Sequence, residues 1–199
     1  MAQPDYGGNI PQGGAYPAGG GFARPDDDDI QGAAEHASRH VGGGDRDLFS
    51  TLAGALGQKK QALASEDVDE DDAVKQHKRY FDKEDDDGDD ADDRSMGSAA
   101  AMQALKLFSG GQSGSSPENN SQSAFIGLAM AEASKLFDQK ASQGKVSGES
   151  SKESAVLKAG EMALKMYLKS QGSTGQSESG SGSASGASGL LNLASKFIK

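Results

Sequence analysis

The sequence has no cysteine and no tryptophan in 199 residues. Without cysteine there is no disulfide framework and no thiolate chemistry, so the chain has no staple suited to an oxidising compartment. Large apolar side chains are scarce as well. Leu, Ile, Val and Phe together make about 15% of the chain, below the roughly 20% at which disorder becomes the better expectation. Nowhere do 18 apolar residues run together, so no segment is expected to span a bilayer. The opening Met1-Ala2-Gln3-Pro4-Asp5-Tyr6-Gly7-Gly8 has no basic patch followed by an apolar stretch and predicts no secretory signal. These absences point to the cytosol or nucleus. They also argue against one large core and for a small helical one flanked by unfolded chain.

Glycine and acidic residues are abundant. The 28 glycines each cost backbone entropy when ordered. The net charge is −10, and residues 65–94, with 15 acidic against 5 basic side chains, carry an amount equal to all of it. Residues 1–64 stand at −3 and residues 95–199 at +3. So acidic a chain is a poor nucleic-acid binder, and no nucleic-acid partner is expected.

Helical periodicity starts after a low-complexity tail, 1–29, in which Pro, Gly pairs and scattered aromatics end in the run Asp26–Asp29. Ile30, Ala33, Ala34, Ala37 and Val41 recur at helical spacing, with Asp29 as N-cap and Gly42–Gly44 as the stop. Phe49, Leu52, Ala53, Leu56 and Leu63 share the face of a second helix, weakened by Gly54 and Gly57. A third opens at Ser65 with the acids Glu66–Asp72 and closes with Lys75, Lys78, Arg79 and Lys83, the charge order a helix dipole favours. Its apolar stripe is Val74, His77, Tyr80 and Phe81. Further helices are predicted over 95–109, 121–142, 150–171 and 190–198, with Ser150 and Glu153 forming a capping box.

The expected organisation is therefore all-α. It is a small bundle of short amphipathic helices joined by Gly/Ser-rich and Asp-rich segments. After the tail come an N-terminal helical unit (30–82), an acidic linker (83–94) and a helical repeat region (95–171). A Gly/Ser linker (172–188) and a C-terminal amphipathic helix (189–199) complete it. The repeat rests on one signature, Ala, any residue, Lys and two apolar or aromatic residues. It recurs at Ala104–Phe108, Ala133–Phe137, Ala163–Tyr167 and Ala194–Ile198, its alanines 29, 30 and 31 residues apart. A helix-packing face follows: Ala104, Leu107, Phe108, Phe125, Ala133, Leu136, Phe137, Ala163, Met166, Tyr167, Ala194, Phe197 and Ile198. Small residues let backbones approach and methionine fills gaps. Isolated helices of this length are marginal in water, so they must pack on each other, on another copy or on a partner.

No catalytic, cofactor or metal chemistry is expected. His36 and His40 are four apart on one helix, but zinc needs further ligands, and Ala37 stands where a zinc protease carries its glutamate. The acidic segment fails as a calcium loop, because setting Gly88 as the turn glycine puts Lys83 and Arg94 at the end ligand positions. The glycine-rich stretches precede no phosphate-binding lysine, and no serine sits in a nucleophile-elbow context.

The order of segments resembles an uncharacterised fungal family that carries a domain of unknown function and is sometimes labelled beta-flanking proteins. The matching stretches are Asp47–Ser50, Ser65–Val74, Met96–Lys106 and Lys158–Lys169, together with Phe125–Asp138 and Leu190–Ile198. The resemblance implies helical segments and a fungal source, and brings no catalytic residue. The function expected is an interaction or self-assembly module with a protein partner or a homo-oligomeric state. Two alternatives stand beside it. One is reversible, weak membrane-surface contact through the lysine-flanked later helices. The other is a stress-protective hydrophilic protein.

Overall fold

Alanine stabilises a core only if the helices that carry it lie close together, because each methyl group removes little surface from water. The computed structural model describes residues 25–81, 90–110 and 121–172, the side chains of 25–29 and of 171–172 excepted. Six helices are present among them: α1 (Pro25–His40), α2 (Arg46–Ala64), α3 (Glu70–Phe81), α4 (Asp93–Ser109), α5 (Gln122–Ser142) and α6 (Lys152–Gly172). The fold is all-α, as the periodicity predicts. The predicted helix at 190–198 and most of the two linkers lie outside the described residues.

Helix α5 is the centre of the bundle. Every residue from Gln122 to Ala131 is buried, so the helix has no solvent face over its first turns. Helices α1, α4 and α6 pack around it, α2 lies on α1 and α6, and α3 lies on α4. One hydrophobic cluster runs from Ile30 on α1 through Phe49, Leu56, Leu105, Phe125 and Met130 to Met166 on α6. The first three helices therefore share their core with the last three. A smaller cluster gathers Ala91, Met96, Ala99, Leu136 and Ala155. Helix α3 buries only Ala73 fully. It is tied to α4 by hydrogen bonds between the His77 ring and Gln103 (2.8 Å) and between the Tyr80 and Ser95 hydroxyls (2.7 Å).

Local signals set most boundaries. The five α2 residues read as its apolar face are its buried residues. Ser121 caps α5 by accepting from the Ala124 N–H (3.2 Å), and Asp92 caps α4 by accepting from the Ser95 N–H (2.8 Å). Three expectations are corrected. Helix α1 begins at Pro25, four residues before the Asp29 cap, and proline suits a first helical position because its missing N–H has no partner there anyway. Helix α3 begins at Glu70 and not at Ser65, because Val68 turns into the core and Asp69 takes the capping role, accepting from the Asp72 N–H (3.0 Å). At α6 the capping hydroxyl belongs to Ser151, which accepts from the Ser154 N–H (3.1 Å). The Ser150 hydroxyl accepts instead from the N–H of Asp93 (3.1 Å), stitching α6 to the start of α4.

The end of the acidic linker is stitched down too. Ala91 is buried and forms a parallel bridge with Val146, donating to the Lys145 carbonyl (2.8 Å) and accepting from the Ser147 N–H (3.0 Å).

Two glycines fix the closest crossings. A Cβ on Gly127 of α5 would lie 2.5 Å from the Ala33 carbonyl oxygen and 2.6 Å from the His36 Cβ of α1. A Cβ on Gly97 of α4 would lie 2.6 Å from the Lys158 Cβ and 2.9 Å from the Ala159 nitrogen of α6. Backbone stands in the way at both, so relief requires the helices to part. Gly97→Ala and Gly127→Ala should each destabilise the fold by about 1–3 kcal/mol. Gly54→Ala and Gly57→Ala on the open face of α2, where nothing lies within 4 Å, should each add about 0.5–1 kcal/mol. Denaturant titration of the four variants checks both signs, and a neutral Gly127→Ala would contradict the crossing.

Candidate functional site: a charged cleft

The predicted packing face proves to be mostly interior. Ala104, Phe125, Ala133 and Ala163 are fully buried, Phe108, Leu136 and Met166 nearly so, and Leu107, Phe137 and Tyr167 half-buried. The Phe108 and Phe125 rings meet at 5.4 Å and 58°. These residues do not form one continuous surface. Leu136 and Phe137 belong to the smaller cluster and the others to the main one or its edge. Ala194, Phe197 and Ile198 lie outside the described residues. The signature lysines stand outward or at the edge, with Lys135 bonded to Glu132 (2.9 Å) and Lys165 paired with Glu66.

What the bundle offers to a ligand is a cleft of about 510 Å³ between the end of α2, the 65–69 turn, the start of α3, the first turns of α4 and the middle of α6. Its geometry follows from small residues. Gly97 lets α4 touch α6 along one edge. On the other side, a Cβ at Gly160 would meet the Leu56 Cδ1 at 2.6 Å, so α2 and α6 also run close. That approach brings Lys59 within 2.7 Å of Glu161, across 102 residues of sequence.

Glu161 is the electrostatic centre of the cleft. Its residue surface is 8% exposed, and it accepts from Lys59 and from Lys158 (3.2 Å). Burial pushes its pKa up, but the hydrogen bonds and positive charges of the two lysines outweigh that and hold it below the ordinary 4.5. Asp92, at the cap of α4, is pushed up by burial and down more strongly by hydrogen bonds from Ser95, ending below its ordinary 3.8. Asp67, Asp69 and Asp72 also line the cleft, as do Leu63 and Met162 and, on α4, Arg94 and Ser98. Among the described residues no group of three His, Asp or Glu side chains is placed to hold a metal ion.

Sequence reasoning does not find this site. Glu161, Lys59 and Ser98 belong to no motif, and their meeting is a product of tertiary packing alone. The one local hint is an acid at 161 set within the alanine stripe of α6.

A carboxylate whose pKa falls on folding contributes stability that is full above its unfolded value and lost as the pH drops through the folded value. Glu161 and Asp92 should therefore both weaken the fold in the acid limb, below about 4.5 and 3.8 respectively. Glu161→Gln should cost about 1 kcal/mol at neutral pH, and the gap from the parent chain should close on acidification. Urea denaturation across pH measures it, and a gap independent of pH would contradict the ion-pair account.

A family described as a domain of unknown function (DUF7721) is matched over residues 29–113. That stretch runs from within α1 through α4 and supplies three walls of the cleft, while α5 and the fourth wall, α6, lie beyond it. No curated protein and no solved structure matches the chain.

Proposed function

We propose that the chain is a non-enzymatic helical interaction module. It folds as one bundle and meets a protein partner through its charged surface, chiefly the cleft, and not through the Ala/Met/Phe face. One observation carries this reading: among the described residues, most of the side chains that would have formed an apolar docking face are spent on the chain's own core. What remains outward around the cleft is charge anchored on a rigid frame, which suits recognition by complementary charge. The non-enzymatic reading draws support from Glu161. A carboxylate kept ionised by two lysines is poorly matched to proton transfer near neutral pH.

Nothing favours the membrane-surface alternative. Lys135, Lys165 and Lys169 are engaged by Glu132, Glu66 and Glu70 and do not flank a bare apolar face. Among the described residues no helix is long and apolar enough to cross a membrane. The repeat reading keeps modest support, since the signature alanine is fully buried in all three described helices. The half-buried position shifts, however, from Leu107 in α4 to Phe137 and Tyr167 in α5 and α6. The cytosolic or nuclear setting rests on the lack of cysteine, and the fungal likeness brings no activity with it.

Sedimentation and far-ultraviolet circular dichroism test the proposal together. A helical species of monomer mass over a wide concentration range is expected. A helix-poor chain, or an oligomer that dissociates on Leu107→Ala and Phe137→Ala, would overturn it.

A further inference from the structure

We propose that residues 190–198, which lie outside the described residues, dock as a further helix of the same chain on the end of the bundle where α6 finishes. The inference goes beyond the interaction-module reading and does not depend on it. Its first support is the recurring signature. In each of the three described copies the alanine, Ala104, Ala133 or Ala163, is fully buried in the main core. The lysines of the second and third copies stay at the rim and pair with acids, Lys135 with Glu132 and Lys165 with Glu66. The fourth copy, Ala194-Ser195-Lys196-Phe197-Ile198, has the same residue types at the same interval. It belongs to a stripe of Leu190, Leu193, Ala194, Phe197 and Ile198, spaced as one face of a helix. A helix so short is marginal alone, so the stripe needs a surface.

The end of the bundle supplies one. Helices α4 and α6 run in the same direction, since the Asp93 N–H meets Ser150 and, further along, Gly97 faces Lys158 and Ala159. Helix α3 runs against them, with Tyr80 on Ser95 and His77 on Gln103. The end of α6 therefore lies toward the end of α4 and the start of α3, and there Lys169 reaches Glu70 (3.0 Å). Val74, Leu107, Tyr167 and Leu168 belong to these three helix ends. All four pack against the main core and are only partly buried.

Tether length and charge assign the occupant. Residues 173–189 separate the end of α6 from the stripe. A Gly/Ser chain of that length spans about 20–25 Å, less than the roughly 30 Å of α6 itself. The stripe is thus held near the end from which the chain departs, at an effective concentration in the millimolar range. A second copy would meet that surface only at its bulk concentration. Residues 190–199 carry Lys196 and Lys199 and no acid, while residues 66–72, beside the end of α6, carry six acids and no base. The lysines of the fourth copy therefore approach charge of the opposite sign.

Hydrogen exchange and amide shifts of the intact, ¹⁵N-labelled chain test the docking. Amides of Leu193–Ile198 should exchange at least about tenfold more slowly than in an unstructured chain, equally at low and high protein concentration. Leu193→Asp with Phe197→Asp should abolish that protection. The same double variant should shift the amides of Val74, Leu107, Tyr167 and Leu168 and leave Ala33–Ala37 on α1 unmoved. Lys196→Glu with Lys199→Glu should lower the protection about threefold. Exchange at the unstructured rate overturns the proposal, and so does protection that the lysine variant leaves unchanged. Protection found only at high concentration makes a second copy the occupant and overturns it too. Shifts confined to another part of the bundle, with Leu107 and Leu168 unmoved, contradict the assigned surface.

Discussion

A chain this poor in large apolar side chains can hold a core only by bringing backbones together, and that closeness governs everything else in the bundle. Among the described residues, seventeen of the 35 buried apolar residues are alanine, so much of the stabilisation comes from dispersion between closely packed helices and from area removed by proximity. The α1–α5 crossing at Gly127 and the α4–α6 crossing at Gly97 are the points of nearest approach. Helix α5 can be enclosed on all sides because its small residues leave room for three neighbours. The compositional expectation of disorder counts Leu, Ile, Val and Phe and gives alanine no weight. Alanine costs no side-chain entropy and is the best helix former, which is how a core forms here in spite of that expectation.

Close approach also explains the ion pairs. Where α2 and α6 run together at Gly160, Lys59 reaches Glu161, and where the 65–69 turn passes α6, Glu66 reaches Lys165. Lys152 bridges Asp45 (2.5 Å) and Asp138 (2.9 Å), tying the starts of α2 and α6 to the end of α5. Burial pushes the Lys152 pKa down, but its two carboxylate partners outweigh that and leave it raised. Such partly exposed pairs contribute little each. Their role here is register, since they join elements that the alanine faces alone would let slide.

Much of the fold was legible in the sequence, because helical periodicity and capping act within a few residues. The α2 face and the α5 span follow from local spacing. The misplaced starts of α3 and α6 share one cause: Val68 and Ser150 answer to distant partners, the core in one case and Asp93 in the other. Ala104, Phe125 and Ala133 of the predicted face are buried in the chain's own core, and periodicity cannot say whether a face meets its own chain or another. The cleft was illegible for the same reason. Its walls come from four helices and a turn, and no motif marks the residues that meet there.

The central claim is that helices α1 and α4–α6 make one cooperative core within a single chain. Native-state hydrogen exchange on the intact protein tests it most directly. The account predicts that amides of Ala33–Ala37 on α1, Ala124–Ala133 on α5 and Ala159–Leu164 on α6 open with a common free energy and a common denaturant dependence. Exchange in which α1 and α2 open freely while α4, α5 and α6 remain protected would contradict it.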